Sequence, residues 1–219
     1  MYRVLIFVLL LTLPLSAAKK KSMGALYRKP GQKVEIANAS ASLAHAHKKC
    51  ENYAWAAIVE TMMHAQQVGL KQEDWAVRTS NGDRCFPSLD DYAQRADALA
   101  GDYTLDGGRK VRIQAGYAAP QPSAMIYSLR VGRPLMLVWE GRPYLLYGIV
   151  YDELIHSSGK ANDFVIRELH LLDAALPADD PKRLVVVKKD GDDDAMITGV
   201  SGVMSLSVEE RNFYDIPIK

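Results

Sequence analysis

Three segments in the first part of the chain carry apolar residues at the spacing of a helix. Asn52 is a residue type that caps helices, and the stripe after it extends toward Gly69. The apolar positions of this stripe are Trp55, Ile58, Val59, Met62 and Met63. Residues 88–91 have the form of a capping box, and a second stripe follows, made of Leu89, Tyr92, Ala96 and Leu99. A third, shorter helix is predicted over residues 123–130, ending before Gly132.

After Pro134 the pattern changes to short runs rich in β-branched and aromatic residues. The runs cover residues 135–139, 144–151, 164–172 and 184–187 and are separated by turn signals such as Glu140-Gly141. A final apolar segment over residues 196–208 is a candidate for one further strand. The chain is therefore predicted to form one α+β domain, with an N-terminal helical half and a C-terminal antiparallel β half.

The N-terminal residues are typical of a cleaved secretion signal. Residues 1–18 contain Arg3, an apolar run, Pro14, and the small residues Ser16 and Ala18 at the positions that a signal peptidase reads. The apolar run is about ten residues long, and spanning a bilayer takes roughly 20. We expect a signal peptide over residues 1–18, a flexible segment over 19–44 and the folded domain over 45–219. The expected product is secreted or periplasmic, with no membrane contact after cleavage.

Charge and composition narrow the class of partner. The chain has 27 Lys+Arg against 26 Asp+Glu, and loss of Arg3 with the signal would leave 27 − 1 = 26 against 26. Such a balance does not favour binding to a polyanion, so no nucleic-acid partner is expected. A hydrophobic content of 48% with 24% charged residues is that of an ordinary folded protein.

The chain has two cysteines, Cys50 and Cys85. In an exported protein two cysteines most economically form one disulfide. Loop-closure entropy gives such a bridge a stabilisation on the order of 4 kcal/mol. The alternative interpretation is that Cys50 is a free, reactive thiol.

The start of the first helix resembles the nucleophile segment of papain-like cysteine peptidases. In the C39-like and AvrRpt2-like bacterial subgroups this helix opens Cys-Trp-Ala-Ala, and the matching residues here are Ala54-Trp55-Ala56-Ala57. The family's Gly-His strand is similar to residues 141–148, in which Arg142 takes the place of the His. Asp173 matches the orienting Asn or Asp, and Lys48 stands at the position of the oxyanion glutamine.

The resemblance implies a papain-like cysteine peptidase fold whose catalytic site is degenerate. Ala54 has no thiol and Arg142 is not a base; nucleophile and base act as one unit, so losing both removes catalysis. The implied function is binding of a peptide or protein segment in the former cleft, with Trp55 helping to shape it and no cofactor. Two alternatives stay open: an active cysteine peptidase that uses Cys50 or an unrecognised site, and a purely structural interaction domain.

Three other groups of residues suggest chemistry less strongly. His45, His47 and Cys50 are zinc-ligand types, but a fourth ligand at suitable spacing is missing. Asp190, Asp192 and Asp194 open like a calcium loop, whose later Gly and Glu are Ala195 and Ser201 here, so an acidic surface turn is favoured. His170 lies within a predicted strand and is interpreted as a structural histidine. No metal site is expected.

Overall fold

The computed structural model describes residues 27–37, 39, 54–72, 92–156, 162–191 and 194–211. These residues form three α-helices and eight strands. The helices are α1 (Ala54–His64), α2 (Tyr92–Leu99) and α3 (Pro122–Arg130). The strands are β1 (Tyr27–Glu35), β2 (Gly101–Thr104), β3 (Lys110–Ala118), β4 (Leu135–Trp139), β5 (Arg142–Ile155), β6 (Asp163–Leu172), β7 (Leu184–Lys188) and β8 (Val200–Glu210). Single 3₁₀ turns lie at Asp106–Gly108 and Pro181–Arg183.

All eight strands belong to one antiparallel sheet: seven follow the order β2-β3-β8-β4-β5-β6-β7, and β1 lies off this path and pairs with β5. Strand β5 is the longest and lies at its centre. One edge of β5 pairs with β6, and the other pairs first with β4 and then with β1. The chain is thus a mixed α/β structure built on a single sheet, which agrees with the predicted α+β class.

The two faces of the sheet carry separate apolar cores. Helices α1 and α2 cover one face, which we call the α1 face, and α3 covers part of the other, the α3 face. Side chains alternate along a strand, so consecutive residues of β4 divide between the two cores. The α1 core includes Met136, Val138, Leu145, Leu172 and Met204, and the α3 core includes Leu135, Leu137, Tyr144, Leu146 and Leu171.

Helix α1 is buried on nearly all sides, including every apolar residue of its predicted stripe. A helix that is apolar around its whole circumference belongs in a protein interior, and here it packs on β4, β5 and β8. Helix α2 buries Tyr92, Ala96 and Leu99 as predicted. None of the described helices combines the length and apolar character that crossing a membrane requires.

Strand β8 extends beyond the end of its neighbour β4, and a side chain takes the place of the missing strand. The amide of Gln66, just after α1, donates to the carbonyl oxygen of Leu206 (3.1 Å) and accepts from the N–H of Val208 (3.1 Å). Both backbone groups are thereby satisfied, as part-buried polar groups must be. Gln66 therefore ties the end of α1 to the sheet.

The first part of the chain contains three strands that the sequence interpretation does not include. Strands β2 and β3 pair with each other, and β3 also pairs along β8. Strand β1 lies within the segment expected to be flexible and pairs with β5 from Tyr27↔Ile155 to Glu35↔Gly148. The first half is therefore not purely helical, and residues 27–35 of the segment expected to be flexible belong to the sheet.

A buried carboxylate holds β1 in place. The side chain of Asp152 on β5 is 5% exposed and accepts hydrogen bonds from Arg28, from Arg167 Nε (2.8 Å) and from the backbone N–H of Gly31 (2.9 Å). Two of these donors belong to β1, and the third belongs to β6. A buried charge is tolerated only when it is paired in this way, so the cluster secures a strand whose own residues are mostly exposed.

Candidate functional site

The structure brings together Arg142 and Asp173, two of the residues that the resemblance selects. Strands β5 and β6 are antiparallel and pair Leu145 with Leu172, so the start of β5 and the end of β6 are neighbours. Arg142 Nη2 lies 2.7 Å from Asp173 Oδ2. The Asp173 side chain is 5% exposed and the Arg142 side chain 59% exposed, so the carboxylate is buried and the guanidinium reaches the surface.

A tight turn delivers Arg142 to this position. Glu140 and Gly141 both have positive φ, 50° and 75°, as the two central residues of a type I′ hairpin turn must. The turn places Arg142 directly opposite Trp139. The Arg142 guanidinium carbon lies 5.5 Å from the centroid of the Tyr144 ring, which is two residues along the same face. The burial of Tyr144 raises the pKa of its hydroxyl, and the Arg142 charge opposes that shift.

The carboxylate of Asp173 is engaged on both oxygens. Oδ1 accepts the backbone N–H of Ala175 (2.9 Å), while Oδ2 accepts from Arg142. Arg183 is buried nearby, and its backbone carbonyl accepts the N–H of Asp173 (2.9 Å). Burial lowers the pKa of Arg183, and the charge of Asp173 acts in the opposite direction. Two donor-only guanidiniums around one carboxylate provide no general base.

Ala54 packs on the other face of the sheet from this pair. It is a member of the α1 core together with Leu145 and Leu172, whereas Arg142 contacts Tyr144 of the α3 core. The alternation of side chains along β5 separates the two groups. The convergence of Ala54 with Arg142 and Asp173, which the resemblance implies, is therefore wrong for Ala54.

Trp55 is a core residue and does not line a cleft. Its side chain is fully buried in the α1 core. The guanidinium carbon of Arg95, on α2, lies 4.7 Å from the centroid of the Trp55 ring, within the range of a cation–π interaction. The expected contribution of Trp55 to a binding cleft is therefore not realised in this structure.

Several predicted residues lie outside the described part of the chain. They are Lys48, Cys50, Cys85, His45, His47 and Asp192. The disulfide between Cys50 and Cys85 stays a prediction for this reason, as do the zinc alternative and the oxyanion position. Among the described residues, no group of three or more His, Cys, Asp or Glu side chains is arranged to hold a metal ion.

His170 lies on the sheet between two acidic residues. Its side chain is largely buried, with Nε2 3.4 Å from Glu168 Oε2 and Nδ1 4.0 Å from Glu35 Oε2. Gly148 lies between Glu35 and His170 in the register, and a Cβ there would approach His170 within 3.1 Å. Because Gly148 has no side chain, the side chains of Glu35 and His170 can approach each other across β5. This contact is a structural role for His170.

A concave surface lies on the α3 face, in a place that the sequence interpretation missed. Helix α3 packs mainly on β1, β4, β5 and β6, and no described helix packs to a comparable extent on the adjoining part of this face, formed by β3 and β8. Two adjoining hollows of about 380 and 310 Å³ lie there, and we call them together the groove. Small residues line the groove from three elements: Gly116 and Ala118 of β3, Ala124 and Ser128 of α3, and Ser205 and Ser207 of β8.

The groove changes from apolar to polar along its length. Three cross-strand pairs form its floor: Ala118↔Val203, Gly116↔Ser205 and Gln114↔Ser207. The first pair adjoins Met125 and Leu135, and the last adjoins Arg133 and Tyr127, whose ring is 67% exposed. The alternation of Val111, Ile113, Ala115 and Tyr117 with small or polar residues is a strand signal through which β3 could have been predicted.

Comparisons of the chain with models of known protein families, with curated proteins and with solved structures found no match. The papain-like resemblance therefore rests on the quoted motif residues.

Proposed function

We propose that the protein is an exported, non-catalytic α+β domain that binds an extended peptide or protein segment in the groove beside α3. The observation that carries this proposal is the hollow beside α3, where small residues of α3, β3 and β8 leave a concave surface among the described elements. Binding sites are typically concave, with apolar walls and a few placed polar groups. The groove has both.

The dimensions of the groove suit an extended segment. Its floor follows β3 from Gln114 to Ala118, which is about 17 Å for five residues at about 3.4 Å each. The side chains of Ser205 and Ser207 line the groove, and hydroxyl groups there can bond to the backbone of a bound chain. The apolar end at Val203 favours an aliphatic or aromatic side chain, and the polar end at Gln114 favours a polar one.

Descent from papain-like cysteine peptidases belongs to the same proposal. It is supported by the ion pair of Arg142 and Asp173 at the positions of the family's His and orienting residue. The placement of Ala54 in the opposite core weighs against a retained catalytic cleft. Ligand binding is therefore assigned to the groove and not to the vestigial positions.

A display selection tests the proposal. Random linear peptides are selected on the purified protein, and the affinities of the selected peptides are measured by fluorescence anisotropy. Among the described residues, no atom of another part of the chain lies within 4 Å of the position that a Cβ at Gly116 would take, so Gly116→Phe can fill the groove without a clash with them. We expect this variant to weaken binding at least about 10-fold, the effect of losing about 1.4 kcal/mol.

Gly69→Phe is the matched control, because a Cβ at Gly69 also meets no described atom within 4 Å and Gly69 is not among the residues that line the groove. This variant should bind like the unmodified protein. Failure to select any binding peptide, or equal binding by the Gly116→Phe variant, would show the proposal to be wrong. Hydrolysis of unfolded protein that is lost in a folded Cys50→Ser variant would favour the active-peptidase alternative instead.

A further inference from the structure

Strand β7 ends the sheet with an open backbone edge. Asp173 donates to the carbonyl of Arg183, and Lys189 donates to the carbonyl of Arg167, both at 2.9 Å. In an antiparallel pair alternate residues bond to the neighbour, so the odd-numbered residues of β7 bond to β6. The even-numbered residues, Leu184, Val186 and Lys188, therefore direct their N–H and C=O groups away from the sheet. No other described strand pairs with this edge.

The other described edges carry features that discourage strand pairing, and β7 lacks them. Strand β1 contains Pro30, a register shift between Lys29 and Gln32, and the charged residue Lys33. Strand β2 has only four residues. Prolines, bulges, charges and short length are the means by which proteins protect sheet edges. Strand β7 has no proline or bulge, and its only charge is the Lys at its end.

The side chains of the open edge are unusually apolar for a surface. Leu184 is 53% exposed and Val186 is 49% exposed. The charge of Lys188 is already balanced on its own face, because its Nζ lies 3.3 Å from Glu168 Oε1. A partner strand would therefore contact the apolar side chains of Leu184 and Val186 and a lysine, Lys188, whose charge is already paired with Glu168.

We propose that β7 pairs antiparallel with β7 of a second copy of this chain, about a two-fold axis at Val186. In that register Val186 faces Val186 of the copy, and Leu184 faces Lys188. All three pairs use residues whose backbone groups point outward, so each pair exchanges two hydrogen bonds. The strand is thus complementary to itself, and both sheets become one continuous sheet.

Charge also favours a second copy over an unrelated strand. Exposed Lys182 lies in the 3₁₀ turn just before β7, and exposed Asp190 lies just after it, so the two-fold axis brings the Lys182 end of each strand toward the Asp190 end of the other. Opposite charges brought near each other attract. Exposed Leu184 and Val186 would be covered by the same contact, which gives an otherwise unexplained apolar surface a role.

Sedimentation velocity of the purified protein tests the pairing. At protein concentrations between about 1 and about 300 µM we expect a reversible equilibrium of monomer and dimer, because the contact is short and its affinity is correspondingly modest. Val186→Lys places two like charges face to face at the axis and should raise the dissociation constant at least about 10-fold. Val131→Lys is the matched control, because Val131 is 46% exposed outside β7 and should leave the dimer unchanged.

A cross-linking experiment tests the register. In a background with Cys50 and Cys85 replaced by serine, Val186→Cys should form a disulfide between copies under mild oxidation, because paired residues have Cα atoms about 5.5 Å apart. Leu184→Cys should not, since it faces Lys188. A monomer throughout the concentration range, a dimer insensitive to Val186→Lys, or equal cross-linking at both positions would overturn the proposal.

Discussion

Replacing Asp173 by alanine should destabilise the fold more than replacing Arg142, although the two residues form one ion pair. The difference follows from burial: the Asp173 side chain is 5% exposed and the Arg142 side chain 59%. Arg142→Ala removes a hydrogen bond of 2.7 Å but leaves the carboxylate bonded to Ala175 and close to the buried Arg183. Asp173→Ala removes both hydrogen bonds and leaves Arg183 without the carboxylate that favours its charge.

The magnitudes follow from the same contacts. For Arg142→Ala we expect a loss of about 0.5–1.5 kcal/mol in the free energy of unfolding, because an exposed guanidinium is screened by solvent. For Asp173→Ala we expect about 2–4 kcal/mol, because the hydrogen bonds of a buried carboxylate to Ala175 and Arg142 are lost, and the buried guanidinium of Arg183 loses the nearby charge that favours its ionised form. The carboxylate is thus the structural member of the pair.

Urea unfolding, followed by far-UV circular dichroism, measures both losses. The exposed pair of Asp102 and Arg112 is a matched control, with two hydrogen bonds of 2.8 and 3.0 Å and side chains 61% and 43% exposed. Asp102→Ala should cost less than about 1 kcal/mol. Equal losses for Asp173→Ala and Arg142→Ala, or a larger loss for Arg142→Ala, would refute the reasoning from burial.

Three further predictions concern the sheet and its cores. Gln66→Ala should lower the free energy of unfolding by about 1–2 kcal/mol in urea, because two backbone groups of β8 lose their partner. Gly202→Ala should lower the free energy of unfolding by more than about 1 kcal/mol, because its Cβ would overlap the ring and hydroxyl of Tyr117. In the double variant, Tyr117→Ala should remove part of that cost. Burial raises the pKa of the Tyr144 hydroxyl, so the neutral side chain stabilises the fold fully below the ordinary tyrosine pKa, and the free energy of unfolding falls as the pH rises above that value. In urea unfolding measured between about pH 8 and 11, Tyr144→Phe should reduce this fall.

Local patterns in the sequence were enough to predict several elements within a few residues. The stripe beginning at Trp55 predicts α1, and the structure buries it completely. The segments predicted as strands at residues 135–139, 164–172 and 184–187 match β4, β6 and β7 closely, and α3 begins one residue earlier than expected. These predictions succeed because helix and strand periodicity is imposed by neighbouring residues, whose side chains face one core.

Strand β1 shows what local patterns do not contain. Its sequence is polar, includes Pro30 and Gly31, and is mostly exposed. It is a strand because β5 offers it an unpaired edge beyond the end of β4 and because Asp152 binds Arg28 and the Gly31 N–H. Strand β5, with Asp152 on it, is more than a hundred residues away from β1 along the chain.

The sequence by itself determined the class of the fold, most of its helices and central strands, and the residues that meet in the pair of Arg142 and Asp173. Only the tertiary structure decided on which face of the sheet each residue lies. A strand pattern shows that Arg142 and Leu145 point in opposite directions, but not which of them meets the helix that carries Ala54. The face on which each residue lies depends on which helix packs on which side of the sheet. The groove has the same origin, because the described part of α3 packs on only part of its face.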